Sequence, residues 1–337
     1  MTTAYSGDGI TFPDNSVQAT APKTGMVNRF INGGMVVDQR NNGASISLGS
    51  SPLYAVDRFE ARVAQGSGHT GQQVNTAPVG FSNSLKITIG TGAAPTAGQG
   101  SFINHQIEGF NFADLGWGTA NAQTITVSFM VYSSLTGTFA YSISNNGLNR
   151  SYIATYSIPV ANTWTAISLT IPGDTSGTWI GATNGVGSYN FWDLGSGSDR
   201  TGTAGAWQAD WITNTSATVN VAGTSGATFY ITGVQLEKGS TATDFEYVDY
   251  GRSLIQCQRY FYKDAQLYYI NRGYSNEGYL AYSLPVEMRA VPTLTKSLGS
   301  VSGVDGISTT TRGLKGYITT GWTNSPAISN MTFSAEL

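Results

Sequence analysis

Apolar and polar residues alternate along several short stretches of the chain. Residues 125–129 read Ile-Thr-Val-Ser-Phe, and residues 85–89 and 167–171 repeat the pattern with Leu or Ile at every second position. A period of two places the apolar side chains on one face of a β-sheet and the polar ones on the other. Turn-forming clusters such as residues 145–147 (Asn-Asn-Gly) separate these stretches. The pattern predicts an all-β protein built as a sandwich or barrel.

Residues 229–236 carry apolar side chains at both odd and even positions. A strand that is buried on both faces has this composition, so we predict a central strand there. Only two short helices are predicted, at residues 54–62 and 250–260.

The first 25 residues differ from the rest of the chain. Ile10 and Phe12 alternate with polar residues, residues 13–15 (Pro-Asp-Asn) form a turn, and Val17 and Ala19 alternate back. This order predicts a small β-hairpin. Since one isolated hairpin is only marginally stable in water, we expect it to dock on its own copies or on a larger assembly.

Charge is unevenly distributed and marks a domain boundary. Only nine charged residues lie between residues 63 and 236, whereas eight Lys/Arg and five Asp/Glu follow Gly251. The change follows the turn-rich, polar residues 237–244. We therefore predict an N-terminal attachment hairpin (1–25), a jelly-roll domain (26–249) and a smaller C-terminal β-sandwich (250–337).

Composition excludes several classes of partner. Charged residues make up 11% of the chain, against about 25% in a typical protein. The net charge is −3 and Lys/Arg runs are absent, which argues against nucleic acid. No apolar run is long enough to insert into a membrane as a helix, and the N-terminus does not resemble a signal peptide. One cysteine excludes an internal disulfide framework, so we expect synthesis in a cytoplasm.

Histidine and metal chemistry have little support in the sequence. His69 and His105 are the only histidines, and we interpret both as structural rather than as members of a Ser-His-Asp triad. Two distant histidines and one cysteine do not form a zinc site. No cofactor is predicted. A structural calcium site near Glu237 and Asp244 is left open, because carboxylates and carbonyls there supply oxygen ligands.

Aromatic residues beside amides and carboxylates form the candidate binding site. A ring offers its apolar face to a sugar while Asn, Asp and Gln bond the hydroxyls. The candidate ligand-binding residues, from two aromatic segments, are Tyr189, Trp192, Asp193, Trp207, Asp210 and Trp211. Core packing is the alternative for each Trp, and it is our interpretation of Trp117, Trp164 and Trp179.

Paired carboxylates leave glycoside hydrolysis as an alternative activity. Asp193, Asp199 and Asp210 lie near tryptophans, and two suitably spaced carboxylates hydrolyse glycosidic bonds. The competing interpretation is that these aspartates cap turns. We expect no catalysis.

Three segments together resemble a family of bacteriophage tail fibre and receptor-binding proteins. Residues 128–131 (Ser-Phe-Met-Val), 171–179 (Ile-Pro-Gly-Asp-Thr-Ser-Gly-Thr-Trp) and 229–239 resemble its carbohydrate-binding-like jelly-roll module. Residues 257–261 and 284–293 resemble the C-terminal fibre domain that commonly follows. Residues 8–18 are similar to N-terminal segments of phage fibre proteins. Unlike long fibres, this chain has no internal repeat.

The resemblance implies a homotrimer that is assembled in a host cytoplasm and displayed on a virion. Residues 1–25 would contact other virion proteins, and the trimer would recognise a host-surface polysaccharide. A trimer also buries sheet faces and edges that one chain leaves uncovered. We therefore predict a trimeric adhesin; the alternatives are an architectural capsid decoration or tail adaptor, or a polysaccharide depolymerase.

Overall fold

A computed structural model describes residues 4–6, 9–11, 17–18, 26–180, 183–264, 268–269, 277–298, 307–319 and 327–337. Nearly all of its regular structure is β-strand, with antiparallel pairing throughout the named strands. The elements are β1 (Ala4–Ser6), β2 (Gly9–Thr11), β3 (Val17–Gln18), β4 (Ile46–Leu48), β5 (Leu53–Val56), β6 (Phe59–Arg62), β7 (His69–Val74), β8 (Ser84–Thr88), β9 (Phe102–Glu108), β10 (Ile125–Ser133), β11 (Gly137–Ser144), β12 (Arg150–Ile158), β13 (Thr165–Ile171), β14 (Val186–Asp193), β15 (Trp207–Ala209), β16 (Thr228–Lys238), α1 (Tyr250–Gln258), β17 (Phe261–Asp264), β18 (Tyr268–Tyr269), β19 (Glu277–Ser283), β20 (Thr293–Leu298), β21 (Ser308–Thr310), β22 (Gly313–Thr319) and β23 (Ala327–Ser334).

Two packed sheets form the body of the molecule. A six-stranded sheet has the order β13-β10-β16-β8-β7-β4, and a seven-stranded sheet has the order β15-β12-β11-β14-β9-β6-β5. The chain crosses repeatedly between them from β8 to β16, as in a jelly roll. The predicted all-β fold class is confirmed.

The alternating segments are strands whose apolar positions form the core between the two sheets. Ile125 and Val127 of β10 and Leu85 and Ile87 of β8 are fully buried, while the intervening Lys86 is partly exposed. In β13 the apolar residues Ile167 and Leu169 are only partly buried, because this strand lies at the edge of the sheet. Strand β16 pairs with β10 on one side and β8 on the other, which confirms the predicted central strand.

One predicted helix is wrong and the other is confirmed. Residues 54–62 form the hairpin of β5 and β6, in which Phe59 and Ala61 point into the core. Arg58 makes the turn with φ of 72°, and pairing of β6 with β9 overrides any local helical preference. Helix α1 begins where Asp249 accepts a hydrogen bond from the Arg252 backbone N–H at 2.9 Å, a typical N-cap.

The C-terminal strands form a second, smaller pair of sheets. Strands β17, β18 and β20 all pair with β23, and a separate sheet has the order β19-β22-β21. The buried residues Leu314 of β22 and Met331 and Phe333 of β23 share one hydrophobic cluster. This cluster packs the two sheets together, which matches the predicted C-terminal β-sandwich.

Buried charges join this smaller unit to the seven-stranded sheet. Glu336, close to the C-terminal end of the chain, accepts hydrogen bonds from Arg58 and from Arg40, the latter at 2.8 Å. Glu108, at the end of β9, accepts from Arg259 at 2.7 Å and from the Tyr260 hydroxyl at 2.6 Å. The Glu108 end of the sheet is therefore held against the C-terminal unit.

The N-terminal strands form the predicted hairpin. Strand β2 pairs with β3 in the register Ile10↔Gln18, and β1 adds a third strand. Attachment of residues 1–25 to other virion proteins stays a prediction.

Candidate functional site

The outer face of the seven-stranded sheet carries the most distinctive set of side chains. Ile103 and Ile107 of β9 and Trp192 of β14 point into the core, so the alternate residues of these strands point outward. Two residues from the following loop lie on the same surface. We call this surface the polar–aromatic face; it consists of Glu60, Arg62, Phe102, Asn104, Gln106, Tyr189, Phe191, Arg200 and Trp211.

Strand register aligns these residues in rows across the sheet. Glu60 of β6 lies opposite Asn104 of β9, and Asn104 lies opposite Phe191 of β14. In the neighbouring row, Gln106 lies opposite Tyr189. Residues that are directly opposite in antiparallel strands project side by side from one face. Side chains far apart in sequence therefore meet in one surface.

Four aromatic rings form a continuous patch on this face. Tyr189 and Phe191 stack with their ring centroids 5.9 Å apart and an interplanar angle of 5°. Trp211 lies 5.6 Å from Phe191 and 5.9 Å from Phe102. Tyr189 and Trp211 are half-buried at the surface, whereas Phe102 and Phe191 support them from below.

Asp193 anchors the loop that carries Arg200 and Trp211. This aspartate is fully buried, and its carboxylate accepts hydrogen bonds from the Gly195 backbone at 2.8 Å, from the Thr213 hydroxyl at 2.9 Å and from Ser196. Burial raises the pKa of the Asp193 carboxyl, while these hydrogen bonds favour its charged form. Asp193 therefore ties the end of β14 to the loop and has a positioning role.

The polar side chains of the face interact with one another. The Glu60 carboxylate accepts hydrogen bonds from the amide groups of Asn104 at 2.9 Å and Gln106 at 3.3 Å. Burial raises the pKa of Glu60 above its usual value, although these bonds act in the opposite direction. One half-buried carboxylate and two buried carboxamides therefore lie next to the aromatic rings.

Unsatisfied polar atoms are concentrated here. Twelve buried side-chain nitrogen and oxygen atoms in the part of the chain that the structure describes have no hydrogen-bond partner. Half of them belong to this face or to the adjoining strand β11: Arg62 Nε, Asn104 Oδ1, Gln106 Oε1, Ser142 Oγ, Arg200 Nε and Trp211 Nε1. Each unsatisfied buried group costs about 1–3 kcal/mol, so these atoms mark the layer beneath the exposed rings as unusually polar.

The structure brings together some of the residues predicted from the sequence. Tyr189 and Trp211 lie on the polar–aromatic face, and Asp210 is exposed beside Trp211 with φ of 70°. Trp192 is fully buried between the sheets and, like Asp193, offers no surface to a ligand. Its neighbour Phe191 faces outward instead, because adjacent strand residues point to opposite faces.

Trp207 packs away from the face, at one end of the sandwich. Its ring lies 5.2 Å from Trp117, 5.3 Å from Trp179 and 5.2 Å from Tyr152, and its indole N–H donates to the Pro172 carbonyl at 3.0 Å. Trp117 and Trp179 are buried, as expected.

Trp164, also expected in the core, is only half-buried. It lies on the outer surface of the six-stranded sheet, 5.6 Å from Tyr132 and 6.3 Å from Tyr230.

Several residues of the polar–aromatic face were not predicted from the sequence. Phe102, Asn104 and Gln106 alternate along β9, so the period of two was available as a signal that they share a face. Arg62 lay in the segment that was assigned to a helix. Nothing local indicates that Arg200 reaches the same surface.

Both histidines are buried and structural. The ring of His69 makes contacts to the Gln65 carbonyl at 2.7 Å and the Gly90 backbone N–H at 3.3 Å. His105 packs edge-on against Phe30 and Phe59, and burial holds its pKa well below the usual value, with the Arg58 charge acting in the same direction. His105 is therefore neutral at pH 7.

Candidate metal ligands are not clustered in the described ranges. No group of three or more His, Cys, Asp or Glu side chains there could hold a metal ion. Glu237, named above for calcium, accepts hydrogen bonds from the backbone and hydroxyl of Thr243. Nor does any helix within those ranges combine the length and apolar character needed to span a membrane.

A cavity of about 660 Å³ lies elsewhere, between α1 and the start of the sandwich. Its charged lining is largely paired within the protein. Arg29 bonds Asp114 at 2.6 Å, Arg259 bonds Glu108, and the Glu246 carboxylate accepts from the Asn28 backbone. These pairs make it a junction between units, so the polar–aromatic face is the better candidate site.

Among known proteins, the chain is similar to several solved structures. No family model and no curated protein matches the chain. It is similar to the enzymatically active domain of tailspike protein 4 from bacteriophage CBA120 (14% identity, TM-score 0.33), over 63% of this chain and 22% of that one. It is also similar to a xylan-binding domain from Paenibacillus barcinonensis (9%, TM-score 0.30), over 58% of this chain and 100% of that one.

A family 11 carbohydrate-binding module from Clostridium thermocellum, solved with a mixed-linked tetrasaccharide, is similar as well (12%, TM-score 0.29), over 59% of this chain and 98% of that one. This chain spans about a fifth of the tailspike chain. At such identities the likeness concerns the backbone, and the chemistry of the polar–aromatic face rests on its own side chains.

Proposed function

We propose that this protein is a non-catalytic virion protein of fibre type that recognises a host-surface glycan through its polar–aromatic face. The observation that carries the proposal is the aromatic patch, in which the half-buried rings of Tyr189 and Trp211 lie at the surface above Phe191. Pyranose rings present an apolar C–H face and a rim of hydroxyls, and this patch complements both.

Exposed apolar residues near α1 support self-association. Met26, Tyr247, Tyr250 and Ile255 are 48%, 65%, 60% and 55% exposed, and Met26 and Tyr247 both line the cavity beside α1. Exposed apolar groups gathered in one region are typical of contact surfaces. Such a surface suits the homotrimer that the resemblance to phage fibre proteins implies, in which three weak sites would gain avidity of about 10²–10⁴ when all engage. Light scattering that shows a strict monomer at micromolar concentration would refute the trimer.

The binding role is tested with two matched tryptophans. Trp211→Ala removes a ring from the polar–aromatic face, whereas Trp164→Ala removes a half-buried ring from the outer surface of the opposite sheet. We expect binding of host polysaccharide to fall only in the first variant. If folded Trp211→Ala binds as tightly as the unsubstituted protein, or if both variants lose affinity equally, the binding site does not lie on this face.

The absence of catalysis needs its own assay. Reducing-end release from host polysaccharide would establish a depolymerase, and loss of that release in Asp199→Asn or Asp210→Asn would identify the acid or nucleophile.

Virions that lack this protein should also adsorb poorly to host cells. Normal adsorption would favour an architectural role, which imaging of its position on the particle would then define.

A further inference from the structure

Two arginines border the aromatic patch, and both lie against its rings. The Arg200 guanidinium carbon is 3.4 Å from the centre of the Trp211 ring. The Arg62 guanidinium carbon is 5.8 Å from the centre of the Phe102 ring, and Phe102 in turn contacts Trp211. Both side chains are half-buried. They hold two positive charges at one end of the polar–aromatic face.

Among the described residues, neither of these half-buried arginines has a carboxylate partner. Six other arginines among the described residues form an ion pair: Arg29, Arg40, Arg58, Arg150, Arg259 and Arg312. Arg62 and Arg200 form none, and the buried Nε of each has no hydrogen-bond partner. Guanidinium groups match carboxylates and other oxyanions geometrically, so these two have unused binding capacity.

The positive charges of Arg62 and Arg200 repel each other. Burial lowers the pKa of Arg200, and the positive charge of Arg62 lowers it further, while Asp199 and Asp193 act in the opposite direction. Glu60 shares the face, but its carboxylate bonds Asn104 and Gln106. An anion placed between the guanidinium groups would relieve their repulsion.

We propose that the glycan is acidic, and that Arg62 and Arg200 bind an anionic substituent of a sugar whose ring rests on the aromatic patch. This inference rests on the glycan-binding function proposed above and names its ligand class. The shared chemistry is an oxyanion on a sugar, either the carboxylate of a uronic acid or a sulfate ester.

The test compares polysaccharides that differ in charge alone. The intact protein is titrated with a panel of purified bacterial capsular polysaccharides, neutral and uronate-containing, with each acidic member also in carboxyl-reduced form. Dextran and dextran sulfate form a second matched pair. We expect binding to acidic members only and a roughly 10- to 100-fold loss on carboxyl reduction. Affinity should also fall as salt rises from 50 to 500 mM. Preference for dextran sulfate over uronates would instead identify a sulfate ester.

Variants separate charge from shape. Arg62→Gln and Arg200→Gln should each lose the preference for acidic members, whereas Arg200→Lys should retain part of it. Arg312→Gln, which removes an exposed arginine of the C-terminal unit whose ion pair with Glu287 lies at the surface, is the matched control and should bind normally. Thermal unfolding checks that each variant is folded.

The outcomes distinguish this inference from the proposed function. Binding to neutral polysaccharides that survives carboxyl reduction and both Arg→Gln substitutions would overturn the acidic ligand and leave glycan binding intact. No binding to any member of the panel would remove both.

Discussion

Replacing Trp207 of β15 and Trp211 just after this strand by alanine, one at a time, separates effects on stability from effects on binding. Trp207 makes edge or tilted contacts with three aromatic rings and donates one hydrogen bond to the Pro172 carbonyl. Each aromatic contact contributes about 0.5–1.5 kcal/mol and the hydrogen bond about 1 kcal/mol. Trp207→Ala should therefore lower the free energy of unfolding by about 3–5 kcal/mol, which corresponds to a fall in Tm of roughly 10 °C.

Trp211 should show the opposite balance. Its ring is half-buried and lies on Arg200 and Phe191, so its removal should cost only about 1–2 kcal/mol of stability. Loss of a ring at the centre of a binding surface typically costs about 1–3 kcal/mol of binding free energy. Glycan affinity should therefore fall about 5- to 150-fold in Trp211→Ala.

Calorimetry on both variants gives the two quantities independently. Scanning calorimetry measures the Tm, and titration of folded protein with host polysaccharide measures the affinity. The reasoning fails if Trp207→Ala loses affinity at an unchanged Tm, or if Trp211→Ala binds as tightly as the unsubstituted protein.

Three further substitutions test buried carboxylates. Burial raises the pKa of Asp57 to about 6 from 3.8, despite its ion pair with Arg40. The stability that protonated Asp57 contributes should therefore be present below pH 4 and be lost as pH rises through 6, by up to about 3 kcal/mol, and Asp57→Asn should abolish this slope in denaturant titrations. Glu336→Gln should lower the free energy of unfolding by about 3 kcal/mol, because Arg58 is left buried without a carboxylate, and glycan affinity should stay unchanged. Asp193→Ala should lower both Tm and affinity as its loop loosens, and Asp193→Asn should restore part of each.

Each of these expectations has a contrary result. An unaltered pH slope in Asp57→Asn would assign the effect to other buried carboxyls, such as Glu60. Unchanged stability in Glu336→Gln would mean that Arg40 or another group compensates. Full glycan affinity in a folded Asp193→Ala variant would show that the loop holds Arg200 and Trp211 without this carboxylate.

Much of the fold was predictable because strand periodicity is local. The alternating segments around Val127, Ile87 and Leu169 are strands, and these three residues face the core. Asp249 likewise marks the start of α1, since a cap depends on adjacent backbone N–H groups. Residues 54–62 were misassigned because their strand structure depends on pairing between β6 and β9, about 40 residues apart.

The candidate site was predictable only in part. The aromatic loops identified Tyr189 and Trp211, but also Trp192 and Trp207, which pack inside the sandwich or at its end. Composition around a tryptophan does not state which side of the strand faces the partner sheet.

The sequence by itself determined the all-β class, most strands, the terminal hairpin and the helix after residue 249, because alternation, turns and caps act between neighbours. The tertiary structure alone decided which face of β14 is buried and which residues share its outer surface. Arg62, Asn104 and Arg200 come from segments up to about 140 residues apart, and strand register and the Asp193-anchored loop bring them together. A site assembled across strands depends on long-range pairing, which no local pattern encodes.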